Sequence, residues 1–333
     1  MRLLVFEFIT GGGFINQPLP PSLLQEGYLM RNALLDDLCL LNKLELLILH
    51  DERIAFATET GHEHLHYLII SADKDIQAVL LDQSDLYDAV WLIAPETEGI
   101  LARWAQFFNE QGKKMCLSGQ EAIDLCQDKL ATFNRLQKAG VACIPSFLFT
   151  SKVVIEPGLW VLKANDSAGC DEVYLLQEEQ HWKAVLAKLI PEHRYILQPY
   201  IAGKVLSLSC LFYQGRAFFI CCNEQQMTIE RQQFILSACR VNVQTEKCQQ
   251  YQQLCQSIAA AIPQLFGYIG IDFIETEAGE NLILEINPRL TSSYAGINEA
   301  TGLNVAELVL AMLNKKIPIF KKTKNHPVLI DIN

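Results

Sequence analysis

"GYIGIDFIETEAGENLILEINPRLTSSYAG", residues 267–296, holds two apolar runs on either side of the polar tetrapeptide EAGE, 277–280. Runs of this kind, separated by turn residues, predict a β-hairpin. Pairing them symmetrically about Ala278 and Gly279 sets Asp272 opposite Glu285, about 5 Å away across the ladder, with Asn287 on the same face two residues on. Two ionised carboxylates that close repel, and the repulsion is relieved when one takes a proton or a cation lies between them. Hard oxygen ligands beside an asparagine carbonyl suit Mg2+ holding the phosphates of ATP. Arg289 follows, a cation able to fork onto a phosphoryl or carboxylate group. The plainer alternative is a hairpin whose polar residues face solvent.

Working outward, the chain changes character once. Up to residue 118, short apolar runs ("RLLVFEFI", "LELLILH", "HYLII", "YDAVWLIAP", "KKMCLS") alternate with helical patterns over about 23–41, 74–83 and 98–111. Such alternation predicts a parallel α/β domain over 1–118. Ser22 and Gln25 have the spacing of a capping box, which predicts a helix starting just after Ser22. A further helix is expected over 119–140, ending at Gly140. The remainder is rich in strands ("LWVLKAN", "EVYLL", "RYILQPYI", "VLSLSCLFY", "AFFICC"), with helices near 181–189 and 247–262. No internal repeat or low-complexity linker interrupts the chain, which predicts one compact unit.

With these segments in order, "LEINPR" after "GIDF" resembles the metal-binding end of the ATP-grasp fold of the carboxylate-amine ligase superfamily. The resemblance implies a mixed α/β and α+β chain: a pre-ATP-grasp domain over 1–118 and an ATP-grasp domain over 119–333. The latter would divide into a small nucleotide-covering subdomain, about 145–201, and a catalytic C-terminal subdomain, about 202–333. "DKLATFNRLQKAGV" resembles the segment whose lysine, here Lys129, reaches the nucleotide phosphates. "WVLKANDSAGCDEV" resembles the strand and loop in which a second lysine, here Lys163, contacts phosphate while loop donors at Ser167 and Gly169 fold over it; the loop, 165–171, would be the lid. "LQPYIAGKVLSLS" resembles the hinge whose backbone, at Gln198, Tyr200 and Ile201, pairs with adenine. Asp272, Glu285 and Asn287 become the metal ligands by the same resemblance, and Arg289 the catalytic cation on the acyl phosphate. Many relatives carry glutamate two residues after the hinge glycine; this chain has Val205 there.

The implied activity is ATP-dependent joining of a carboxylate to an amine through an acyl phosphate, with ATP and Mg2+ (Mn2+ as substitute) as cofactors. "FEFITGGGF", "SLLQEGYLMRNALLDDL" and "APETEGIL" further resemble the front domain of the ligases that join glutamate to tyramine in methanofuran biosynthesis, and of their bacterial counterparts. A ligase for another amino acid pair, of the D-alanine or glutathione type, and a non-catalytic ATP-binding regulator on the same fold are the alternatives. A nicotinamide-dependent dehydrogenase would explain a glycine run after the first strand but leaves the carboxylates and Arg289 unused.

That glycine run, Gly11, Gly12 and Gly13, lacks the spacing of a dinucleotide turn or a P-loop. It is expected to line the acceptor-substrate pocket, where a backbone without side chains approaches a ligand closely; a structural tight turn is an equal alternative. Glu26 is expected beside it as a partner for a substrate ammonium group, against the alternative of a first-turn glutamate favoured by the helix dipole.

Bulk properties agree with small-molecule chemistry. The chain has 333 residues, is 50% hydrophobic and carries a formal net charge of -11, which disfavours nucleic acid and anionic membranes as partners. Its expected partners are the carboxylate and amine substrates, with a homodimer compatible. The apolar runs are too short to span a membrane and no signal pattern opens the chain, so a cytoplasmic location is the default expectation. Eleven cysteines without a CxxC pair predict reduced thiols. The lysines at 315, 316, 321, 322 and 324 read as a solvated surface, and "HEHLH" (His62, His64, His66) as an exposed polar face rather than a metal site.

Overall fold

The computed structural model describes residues 1–55, 64–150, 157–167, 169 and 172–332. Strands β1 (Arg2–Glu7), β2 (Glu45–Asp51), β3 (Leu65–Ile70), β4 (Ala89–Ile93) and β5 (Lys114–Met115) form a parallel sheet in the order β3-β2-β1-β4-β5. β1 and β4 are almost wholly apolar because both faces of the sheet are covered. On one face Leu3, Val5 and Trp91 share a core with Met30, Leu34 and Leu38 of α1 (Pro21–Cys39). On the other, Leu4 and Phe6 pack with Leu80 of α2 (Ile76–Asp82) and with Leu101 and Phe108 of α3 (Ile100–Glu110).

Two local expectations are corrected. α1 begins at Pro21, its N-cap is Pro20, and no side chain caps it. Proline at the first helical position presets the backbone, so Ser22 lies inside the helix and the capping box does not form. The helix expected over 119–140 is two helices, α4 (Gln120–Gln127) and α5 (Lys129–Lys138). Asp128 adopts extended angles between them and its Oδ1 accepts the Ala131 N–H at 2.8 Å, an N-cap that starts α5 at Lys129.

The second sheet is antiparallel and has ten strands: β6 (Phe147–Leu148), β7 (Trp160–Ala164), β8 (Val173–Leu176), β9 (Tyr195–Pro199), β10 (Gly203–Tyr213), β11 (Arg216–Glu230), β12 (Gln233–Val241), β13 (Gly267–Thr276), β14 (Asn281–Asn287) and β15 (Val328–Asp331). Their order is β14-β13-β10-β11-β12-β8-β7-β9-β6, with β15 beside β12. Between β12 and β8 the sheet narrows to the pair Gln233 and Tyr174 and the Leu175 N–H to Gln232 carbonyl bond of 2.7 Å. Helix α6 (Glu179–Leu186) belongs to the β7–β8 side. Helix α7 (Cys248–Ala261) covers β10 and β13, where Leu208, Cys210, Ile271 and Phe273 meet Tyr251, Cys255 and Ile258. Alternation along those strands turns Val205, Ser207, Asp272 and Ile274 to the opposite face. Helices α8 (Ile297–Thr301) and α9 (Val305–Leu313) join the α1 side of the front sheet in one core through Ile297, Val305 and Val309.

The β13–β14 hairpin reaches the expected register by an unexpected route. Thr276 and Glu280 close the turn, Gly279 takes φ 82° there, and Ile274 pairs with Leu282 and Phe273 with Ile283. The ladder then skips Leu284, and Asp272 faces Glu285. The turn is centred half a residue earlier than symmetry suggests, and the bulge at Leu284 restores the pairing. The cysteines among the described residues are free thiols, and no described helix is long and apolar enough to cross a membrane.

Candidate active site

The cleft-facing side of β10, β13 and β14 meets β7, β9 and the segment after β9 across a cavity of about 370 Å³. Asp272, Glu285, Asn287 and Arg289 line it from β13, β14 and the segment that follows, Lys163 and Gln198 to Ile201 from β7, β9 and the segment after β9, and Gly169 and Glu26 line it as well. Val205 also lines it, so an apolar group stands where the resemblance implies glutamate.

At the centre, Asn287 Nδ2 donates to Asp272 Oδ2 at 2.9 Å, and Gln225 Nε2 to Asp272 Oδ1 at 3.0 Å. Burial, and then the adjacent Glu285, push the Asp272 carboxyl well above the usual carboxylate range. Burial would raise Glu285 as well, but Lys129 and Lys163 outweigh it and hold that carboxyl below its ordinary value. Their Nζ atoms stand 3.7 and 3.9 Å from Glu285 Oε2. A divalent cation fits these donors: two carboxylates and an amide oxygen are hard ligands, and positive charge would relieve the Asp272–Glu285 repulsion. Among the described residues no group of three or more His, Cys, Asp or Glu is arranged to hold a metal.

Lys129 is buried behind Glu285; its Nζ donates to the Ser167 carbonyl, and its backbone N–H to the Asn165 carbonyl at 3.1 Å. Ser167 is itself buried, with Oγ donating to the Ala164 carbonyl at 3.2 Å. Asn165 Oδ1 accepts the Leu130 N–H at 3.0 Å, so the start of the loop is tied to the start of α5. Of the lid expectation, residues 168, 170 and 171 lie outside the described residues. Gly169 takes φ 64°, and among the described residues no atom lies within 4 Å of where a Cβ would stand. In the hinge, the Tyr200 N–H donates to the Leu159 carbonyl at 2.9 Å and Gln198 Nε2 to Ser146 Oγ at 2.7 Å.

Glu26 lies in the second turn of α1, not the first, so the helix-dipole alternative does not apply. Its Oε2 accepts Ser292 Oγ at 3.4 Å, and burial raises its pKa against the opposing pull of Arg289. The glycine run stands apart. Gly12 and Gly13 line a separate cleft with Asp75 and Trp104, and a Cβ at Gly11, Gly12 or Gly13 would strike the Glu7 carbonyl, Ile70 or Phe8 at 2.6, 2.7 and 2.4 Å. That is the geometry of a tight structural turn. His64 and His66 flank Glu45 on the surface; His62 lies outside the described residues.

Sequence reasoning missed Glu96. It is buried in the loop after β4, and both its oxygens accept from Arg289. Its place at the carboxyl end of a central parallel strand, inside "APETEGIL", was the available signal.

The sequence matches the ATP-grasp domain family over residues 126–293 and the pre ATP-grasp 3 domain family over 44–123. The chain belongs to the ATP-grasp family. The parallel front sheet and antiparallel second sheet are the fold expected of an ATP-grasp chain. Among curated proteins no sequence matches it. Among solved structures it resembles an ATP-grasp superfamily protein from Archaeoglobus fulgidus at TM-score 0.70 and 18% identity, covering 99% of this chain and 92% of that one. An L-amino acid ligase from Bacillus licheniformis gives 0.69 and 13%, covering 93% and 72%. The biotin carboxylase domain of Hydrogenobacter thermophilus 2-oxoglutarate carboxylase, a dimer in complex with MgADP and bicarbonate, gives 0.68 and 16%, covering 96% and 71%. At these identities the likeness is one of fold.

Proposed function

We propose that this ATP-grasp protein is an ATP-dependent ligase that joins a carboxylate to an amine through an acyl phosphate. The observation that carries this reading is the convergence of Asp272, Glu285, Asn287, Lys163 and Arg289 in one cleft that extends to Glu26. Bound ATP with Mg2+, or Mn2+ in its place, would supply the phosphoryl group that activates the carboxylate.

The chain's own part is to bind, orient and exclude water. Asp272, Glu285 and Asn287 hold the cation, Lys163 and Lys129 hold phosphates, Ser167 and Gly169 belong to the loop that covers them, and the backbone of Gln198, Tyr200 and Ile201 meets the adenine edge. Arg289 stabilises charge on the acyl phosphate, since a guanidinium fixed in a water-poor site acts where that charge develops. Glu26 binds the ammonium group of the amine and orients it toward the activated carbonyl. Residues 1–118 form the acceptor-binding domain in this reading, and 119–333 the nucleotide-binding one.

The substrate pair we propose is glutamate with tyramine or tyrosine, in methanofuran-type biosynthesis. The front-domain stretches support it, as does the cleft itself, which sets Met227, Phe234 and Leu236 in the same cavity as the Glu26 carboxylate. Apolar side chains and a carboxylate in one cavity suit an aromatic amine. The test is a panel of amino acids and amines assayed for ADP release and product mass. Mg2+-dependent ADP release with a glutamyl amide supports both levels; an amide without glutamate overturns the pair and keeps the ligase; MgATP binding with no turnover on any pair overturns the ligase.

A further inference from the structure

We infer that Glu96 is the positioning residue for Arg289, so that the front domain sets the orientation of the cation facing the cleft. The inference rests on the ligase reading above and extends it to a residue that does not itself line the cavity.

Arg289 Nε lies 2.9 Å from both Glu96 oxygens and Nη2 lies 2.7 Å from Oε2, while Nη1 donates to the Leu290 carbonyl at 3.0 Å. A guanidinium has five N–H donors in one plane. Glu96 takes the inner fork and Leu290 one more, which leaves one donor on each Nη for a ligand. The two side chains are 10% and 6% exposed, so neither is free to swing into solvent. A buried pair of this kind is a weak source of stability, because desolvation offsets much of the attraction. Fixing a plane and a direction is what it supplies.

The loop that carries Glu96 is itself anchored. The Gly99 N–H donates to the Glu96 carbonyl at 2.9 Å and the Leu101 N–H to the Pro95 carbonyl at 3.0 Å, joining it to the start of α3. The Glu98 N–H donates to Asp166 Oδ2 at 3.2 Å, in the loop between β7 and β8. One five-residue segment of the front domain thus holds the cation on one wall and touches the phosphate loop on the other.

Glu96→Gln keeps the shape but turns an amide N–H against a guanidinium donor, so Arg289 loses its fixed plane. The test uses the full chain and compares affinity for MgADP with affinity for MgADP plus aluminium fluoride, a mimic of the transferring phosphoryl group. A misplaced catalytic cation costs on the order of 100-fold in a well-oriented site. Glu96→Gln is therefore expected to bind MgADP within about twofold of wild type, to lose about 100-fold in the aluminium fluoride preference, and to lose kcat in the same proportion with KM for ATP little changed. Glu96→Asp, which keeps the charge, should recover part of that preference and guards against a Gln variant that fails to fold. Wild-type discrimination in a folded Glu96→Gln protein, or a fall in melting temperature alone, overturns the inference. Absence of MgADP binding in the wild type overturns the ligase reading and this inference with it.

Discussion

Lys163 and Lys129 share one oxygen of Glu285, at 3.9 and 3.7 Å, which makes that carboxylate the common counter-charge of a strand and a helix. Asp272 feels the Arg289 charge but, among the described residues, forms no ion pair, and instead accepts two amide donors. The two carboxylates therefore respond differently to neutralisation. Asp272→Asn removes a group that burial already disfavours as an anion, and its melting temperature should match or exceed wild type. Glu285→Gln should lower it modestly. Both should fold and both should lose Mg2+-dependent ADP release by at least about 100-fold, read by circular dichroism melts alongside a magnesium titration of ADP formation. Full activity in both would remove the metal assignment.

Glu26→Gln should raise KM for the amine and leave KM for ATP where it is. Loss of a charge-assisted hydrogen bond costs about 1.5–3 kcal/mol, or roughly 10- to 100-fold. Steady-state kinetics at saturating ATP, with the amine varied, measure it; an equal rise in both KM values would take Glu26 out of the amine subsite.

Gly12→Val should act on folding and not on substrates. Gly12 has φ 95° and a Cβ there would lie 2.7 Å from Ile70 Cγ2, in a cleft apart from the candidate active site. Backbone strain alone costs about 1–3 kcal/mol, so the melting temperature should fall while both substrate KM values hold. A selective rise in the amine or carboxylate KM would return the glycine run to the acceptor pocket.

His193 supplies a pH signature. Its hydrogen bond to Glu172, at 2.9 Å, raises its pKa above the ordinary imidazole value despite some burial. A histidine raised in this way contributes stability that is fully present below its unfolded pKa of about 6.5 and is lost as pH rises through the folded value. The melting temperature of wild type should exceed that of His193→Ala most in mildly acidic buffer, with the gap closing toward alkaline pH; a constant gap would show that the pair contributes no proton-linked stability.

The hairpin that carries the proposed metal ligands was legible because a short polar turn between two apolar runs leaves few registers. Its bulge was not, since nothing in "NLILE" distinguishes Leu284 from its neighbours before the turn closes. The front sheet was legible from its alternation with helices. β12 was missed because "QFILSACRV" is half-buried along most of its length and lacks a clean period of two. Ser22 misled because the cap pattern is local, while Pro21 decides where the helix starts. Lys129 and Lys163 entered through resemblance alone, as a lysine carries no signal of the carboxylate it will face. Glu96 could not be paired from sequence at all: its partner lies 193 positions away and in the other sheet's half of the chain.

The narrow join between β12 and β8 has a consequence for turnover. Among the described residues β10 and β13 pair at ten positions, whereas the two leaves of the sheet meet in the ladder at one residue pair and one neighbouring backbone bond, and across the cleft at the Lys163–Glu285 contact of 3.9 Å. A backbone hydrogen bond nets about 1 kcal/mol, so the ladder itself holds the leaves together only weakly, and the charges around Glu285 carry more of the closure. In the proposed ligase, product would leave as pages open, without any wall of the site being rebuilt for the next cycle.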